Sequence, residues 1–124
     1  MGMLRIDVEV ARPGRHAAWR AVPQALVDSG SAMTWLPADL LRSVGVSVFK
    51  RNQPFLMANG RQITRDIGIA ILRAGEFKTV DEVVFGHPGD LTLVGARTLE
   101  GFNAVIDLRR KRLIAAGPMP AAAA

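Results

Sequence analysis

Leu4, Ile6, Val8 and Val10 alternate with Arg5, Asp7 and Glu9, the period-two pattern of a strand with one buried face. Pro13-Gly14 turns the chain, and a second strand is expected through Trp19 to Val22. Pro23 interrupts it, because proline cannot donate to a strand ladder, and Gln24 to Val27 resumes the extended run. The apolar stretch Ala25-Leu26-Val27 then ends abruptly in Asp28-Ser29-Gly30-Ser31, where Ser-Gly forces a turn. Pro37 to Val44 reads as a short helix, with proline in its first turn and Gly45 at its C-terminal cap.

The middle of the chain is strand and turn. Phe55 to Met57 leads into Asn59-Gly60, the strongest short hairpin signal, and the strand returns through Ile63, Ile67, Ile69 and Ile71. Gly75 turns it into Phe77 to Phe85, and His87-Pro88-Gly89-Asp90 is a further turn. Leu91-Thr92-Leu93-Val94-Gly95 is a second apolar run ending in glycine. Ala96 to Glu100 predicts one or two helical turns, and Ala104 to Ile106 a strand. The fold class is therefore all-β in the sense of mainly β, with two short helices that each follow an apolar strand ending at a glycine. The match of Leu26 to Gly30 with Leu93 to Gly95 suggests a weak internal two-fold repeat. One domain is expected over residues 1–116, followed by a mobile Pro/Ala-rich tail over 117–124.

Composition narrows the chemistry. At 124 residues and 49% apolar the chain has enough for one core of its own. It contains no cysteine, which excludes a disulfide frame, a thiolate nucleophile and a zinc-thiolate site. His16 and His87 are too few for most metal sites and are expected in solvent or turns, so neither metal nor cofactor is expected. No apolar stretch approaches membrane-spanning length, and Met1-Gly2-Met3-Leu4-Arg5-Ile6 fits neither a secretory signal nor the myristoylation pattern, so a soluble cytoplasmic protein is the expectation. The formal charge is +5, and the one dense basic run is Arg109-Arg110-Lys111-Arg112. It reads either as a nucleic-acid or acidic-lipid patch or as a solvated turn between Val105-Ile106 and Leu113-Ile114. Without interleaved aromatics the turn is the preferred reading.

Asp28 stands out, because a carboxylate at the end of a buried strand is poorly solvated and costly unless something uses it. Four ordered segments around it resemble the retroviral-type (retropepsin) aspartic protease family, in particular its compact single-domain bacterial members. They are Ala25 to Leu36 with Asp28-Ser29-Gly30; the hairpin Met57-Ala58-Asn59-Gly60-Arg61; Leu93-Val94-Gly95 with Leu99 and Gly101; and Val105-Ile106-Asp107 with Arg112-Leu113-Ile114. The resemblance spans roughly residues 4 to 115, and it implies a closed acid-protease β-barrel with a flap hairpin. There are departures. Ser29 stands for the commoner threonine, Ala96 for an arginine that falls one position later at Arg97, and Ala32 and Met33 where viral members carry acidic residues.

The resemblance implies an endopeptidase that uses two carboxylates sharing one proton, since like charges a few Å apart cannot both ionise. The ionised one draws a proton from water while the protonated one donates to the scissile carbonyl oxygen. With a single Asp-Ser-Gly, the chain would act as a homodimer with Asp28 from each subunit at the two-fold axis. Ser29 would brace the two loops, the Gly30 N–H would bond the carboxylate, and the hairpin would close over a peptide substrate. Ser31, Met33, Ala58, Asn59 and Gly60 are the expected substrate contacts. Trp35 could line either core or pocket, whereas Leu26, Val94, Leu99, Phe102 and Ile106 are expected in the core. Asp107 also follows an apolar pair but lacks the Ser/Thr-Gly that would hold its carboxylate, so it is expected at the surface or in an ion pair. Two other functions compete: a catalytically silent module that binds a peptide or partner protein in the same groove, and a small basic β-barrel that binds nucleic acid.

Overall fold

The computed structural model describes residues 3–14 and 18–122, so the expectation for His16 lies outside it. The alternating N-terminal segment forms β1 (Arg5–Ala11), with Val8 and Val10 fully buried. Its partner β2 (Arg20–Val27) runs through Pro23 rather than stopping there, and Trp19 lies just outside it. Pairing passes from Ile6↔Ala25 to Val8↔Val22, which leaves Pro23 and Gln24 opposite Asp7 alone, a β-bulge. Proline is tolerated because a bulge asks for no ladder donor at that position. Gln24 takes φ +54°, and its backbone N–H and side-chain amide both donate to Asp7 Oδ1, at 2.9 and 3.1 Å.

After β3 (Thr34–Pro37) the helix α1 (Ala38–Ser43) forms as expected, with Pro37 at its N-cap and Gly45 in a left-handed conformation (φ +85°) just past its end. β4 (Val48–Leu56) starts seven residues before the expected Phe55. Its polar run Lys50-Arg51-Asn52-Gln53 hid it: β4 is an edge strand paired only with β5 (Gln62–Ala74), and from Phe49 to Asn52 it is exposed on both faces. Asn52 at φ +55° relieves a register shift in the same stretch.

β5 and β6 (Phe77–Gly86) form a long antiparallel hairpin through Gly75. Ile63, Ile67, Ile69 and Ile71, through which the sequence traces β5, share one face, but the strand buries residues on both. Gly68, Ala70 and Leu72 are buried, Ala70 and Leu72 in the main core, while Ile63 and Ile67 join a second cluster with Met33, Trp35, Val84 and Leu93. Ile69 and Ile71 are left half-buried.

β7 (Leu93–Val94) is inserted between β2 and β3, parallel to the first and antiparallel to the second, and α2 (Ala96–Phe102) follows it. The two apolar runs that matched in the sequence therefore lie side by side, with Leu26↔Leu93 and Val27↔Val94 in register. The seven-stranded order is β1-β2-β7-β3-β6-β5-β4, and β1 also pairs with β5 through Glu9↔Arg73 to Ala11↔Ile71. Among the described residues the architecture is mainly β with two short helices, neither long and apolar enough to cross a membrane.

Leu99, Phe102 and Val94 are buried in the core, and Leu26 and Ile106 pack half-buried against it. β8 (Ala104–Asp107) and β9 (Arg112–Ala115) make a separate two-stranded ribbon. The basic run forms its exposed turn, with Arg112 already in β9. Asp107 braces that turn, accepting the Arg110 N–H at 3.1 Å. Residues 117–122 are exposed and belong to no strand or helix.

Candidate active site

Backbone hydrogen bonds, within the loop and from β7 and α2, hold the Asp28 loop. The Asp28 N–H donates to the Val94 carbonyl at 2.9 Å, and the Ser31 N–H returns to the Asp28 carbonyl at 3.1 Å. Just beyond Val94 the Ala96 and Arg97 N–H groups reach the Ser31 and Ala32 carbonyls at 2.7 and 3.0 Å, docking the start of α2 on the loop. The Gly30 N–H donates to Asp28 Oδ1 at 2.9 Å. A fixed donor at this distance sets the plane of the carboxylate while leaving Oδ2 free to meet a ligand. The side chain is half-buried rather than sealed: the strand delivers it to the wall of an open cleft, not into the core.

Under the loop runs a directed chain of hydrogen bonds. The Gly95 N–H donates to Thr34 Oγ1 at 3.0 Å, Thr34 and Thr98 hydroxyls lie 2.5 Å apart, and Thr98 donates to Asp81 Oδ2 at 2.8 Å. A carboxylate only accepts, so the proton order is fixed: Gly95 to Thr34 to Thr98 to Asp81. Both threonines are fully buried. Thr34→Val, nearly equal in shape, strands the Gly95 N–H and removes the bond to Thr98. It is expected to cost about 2 kcal/mol of stability, read by denaturant unfolding. An unchanged midpoint would show that water replaces the hydroxyl.

The cleft, about 570 Å³, lies between this loop and the hairpin of β4 and β5. Of the expected contacts, Ser31, Met33 and Ala58 line it together with Asp28 and Gly30. Asn59 and Gly60 do not: they form the exposed hairpin tip, where Gly60 takes φ +84° and the Asn59 side chain accepts the Arg61 N–H at 2.9 Å. Ser29 is exposed beside the cleft and is not part of its lining. Trp35, left open between core and pocket, serves both, packing against Phe55 in a tilted pair with 5.0 Å between ring centres. Met57 lines the cleft as part of the expected hairpin, whereas sequence reasoning missed Leu56 and the Gly89-Asp90-Leu91 wall. The wall had no local signal, because it meets the cleft only through the insertion of β7.

Arg65 did carry a signal. It sits in period two with Ile63 and Ile67, a charge on an inward face, and such a charge needs a partner. Its Nε and Nη2 donate to Asp90 Oδ2 and Oδ1 at 2.7 and 3.0 Å, and both side chains are largely buried. The Arg65 fork, with the His87 N–H at 2.8 Å, holds the Asp90 carboxyl below its ordinary range. A carboxyl lowered on folding stabilises the native state above the ordinary aspartate value of about 3.9 and loses that contribution as pH falls through its lowered folded value. The melting temperature should therefore drop at acid pH, less steeply in Asp90→Asn; identical acid limbs for the two proteins would exclude this pair as a cause. His87 itself is exposed in the turn, as expected, and Asp107 lies on the separate β8–β9 ribbon, away from the cleft lining.

No protein-family model matches the sequence, and no curated protein matches it either.

Proposed function

We propose that this chain is an aspartic endopeptidase of the retropepsin type, acting as a homodimer on an extended peptide. The observation that carries the reading is Asp28, fixed by the Gly30 N–H at the wall of a largely apolar cleft beneath a hairpin. The cyclic run of pairings from β1 through β2, β7, β3, β6 and β5 back to β1 supports a closed barrel, with the β4–β5 hairpin as its flap. The mechanism needs a second carboxylate that can hold a proton. Among the described residues the other carboxylate on the cleft is Asp90, and the Arg65 fork keeps it ionised and turned away from that task. One chain thus supplies half of a proton-sharing pair, and a second copy supplies the other half. The two Asp28 carboxyls would activate a water between them, one taking its proton while the other donates to the scissile carbonyl oxygen.

The test is cleavage of a diverse peptide library across acid to neutral pH, with the products read by mass spectrometry over a range of protein concentrations. Cleavage whose specific activity rises with protein concentration supports the dimeric enzyme. A strict monomer that binds peptides without cleaving them would make the cleft a binding groove instead.

A further inference from the structure

Residues 53–65 form a two-stranded ribbon that leaves the main sheet. Gln62 to Arg65 pair only with β4, whereas pairing of β5 with β6 begins at Ile67 and with β1 at Ile71. A two-stranded ribbon is marginal by itself, so its position must come from side chains on its inner face. Two fastenings are present. Phe55 and Ile63, directly opposite each other, rest on the Trp35 cluster. Arg65 reaches across to Asp90, on the loop between β6 and β7 that forms the facing wall of the cleft.

The ionic fastening is built as a rigid joint. Its two parallel bonds fix angle as well as distance, and both groups are mostly withdrawn from water, where such a pair is screened least. The loop end is secured in turn: Asp90 Oδ2 also accepts the His87 N–H at 2.8 Å, and the Asp90 N–H donates to the His87 carbonyl at 3.0 Å. Two residues further on, the Thr92 carbonyl accepts the Leu26 N–H at 3.2 Å, two residues before Asp28. A continuous covalent and hydrogen-bonded path therefore links the ribbon to the strand that carries the candidate catalytic carboxylate.

We infer that the Arg65–Asp90 pair is a latch that sets the height of the ribbon over the cleft, making both residues positioning residues for the bound peptide. The effect on catalysis rests on the endopeptidase reading above; the effect on the ribbon does not. Arg65→Met keeps the apolar stem and removes the fork, and Asp90→Asn keeps an acceptor for His87 and removes the charge. Both variants and their combination would be studied as full chains by amide hydrogen exchange, and by steady-state kinetics on a peptide that the native protein cleaves. Exchange of the amides from Gln53 to Arg65 should quicken about tenfold in each single variant, with the amides of β1 and β6 little changed. KM should rise about tenfold with the smaller part of the loss in kcat, because the peptide loses its roof more than its chemistry. The double variant should be no worse than either single one, as expected for two groups acting as a unit.

Ribbon exchange at the native rate would overturn the latch whatever the activity does. So would a loss of protection spread evenly over the sheet, or single effects that add in the double variant. If the native chain cleaves no peptide while ribbon exchange still quickens in the variants, the latch stands and the endopeptidase reading falls.

Discussion

Under the proposed aspartic mechanism, Asp28→Asn is expected to lower peptide cleavage by at least about 10³-fold, the upper part of the range that general acid–base catalysis contributes. The substitution isolates the proton. Asparagine has the same shape and keeps an oxygen to accept the Gly30 N–H, now at 2.9 Å from Oδ1, so the loop retains its anchor. What it cannot do is take a proton from water or hold one for the scissile carbonyl. The loop's backbone bonds, from Asp28 to Val94 and from Ala96 and Arg97 to Ser31 and Ala32, are untouched, as is the bond from the Ser31 hydroxyl to the Met33 carbonyl. The melting temperature should accordingly stay within about 2 °C of the native protein's, since a half-exposed substitution away from the core moves stability little. Cleavage by Asp28→Asn at the native rate would end the aspartic mechanism. Lost cleavage together with a collapsed melting temperature would show that the charge serves the fold.

The second large effect is on folding. Gly95→Ala is expected to destabilise the protein by about 3 kcal/mol, which lowers the melting temperature by roughly 10 °C for a domain of this size. A Cβ on Gly95 would run into the carbonyl of Met33 and come within 2.8 Å of the Ser31 carbonyl oxygen. Both are backbone atoms in the loop that carries Asp28, and the Ser31 oxygen is already bonded to the Ala96 N–H. Neither can move without prising α2 from the loop and breaking the Gly95–Thr34 bond. The glycine is thus required by close approach and not by its dihedral angles, φ being −93° there. A calorimetric scan checks the loss. A melting temperature equal to the native one would mean that the loop yields cheaply, and the docking of α2 on it would then be looser than these distances imply.

The two substitutions separate the part of the site that the sequence spells out from the part that folding creates. Asp28-Ser29-Gly30 was legible because it is contiguous: an apolar strand, an acid and a turn appear in order, and the hydrogen bond from Gly30 back to Asp28 spans two residues. The hairpin at Asn59-Gly60 and the capping of α1 were legible for the same reason, since turn and cap chemistry is local. β4 was not, because from Phe49 to Asn52 it is exposed on both faces and so carries no alternation. Nor was the passage of β2 through Pro23, which depends on Asp7 standing opposite the bulge.

The sequence by itself determined the mainly β class, both short helices, the turns and the position of the acidic loop, since each depends on residues a few places apart. Only the tertiary structure decided that Gly95 supports the Asp28 loop, that Thr34 and Thr98 share a buried chain to Asp81, and that Arg65 closes on Asp90. These contacts join residues 17 to 64 positions apart. They arise because β7 is threaded between β2 and β3, a pairing set by the burial of whole strand faces and written in no single segment.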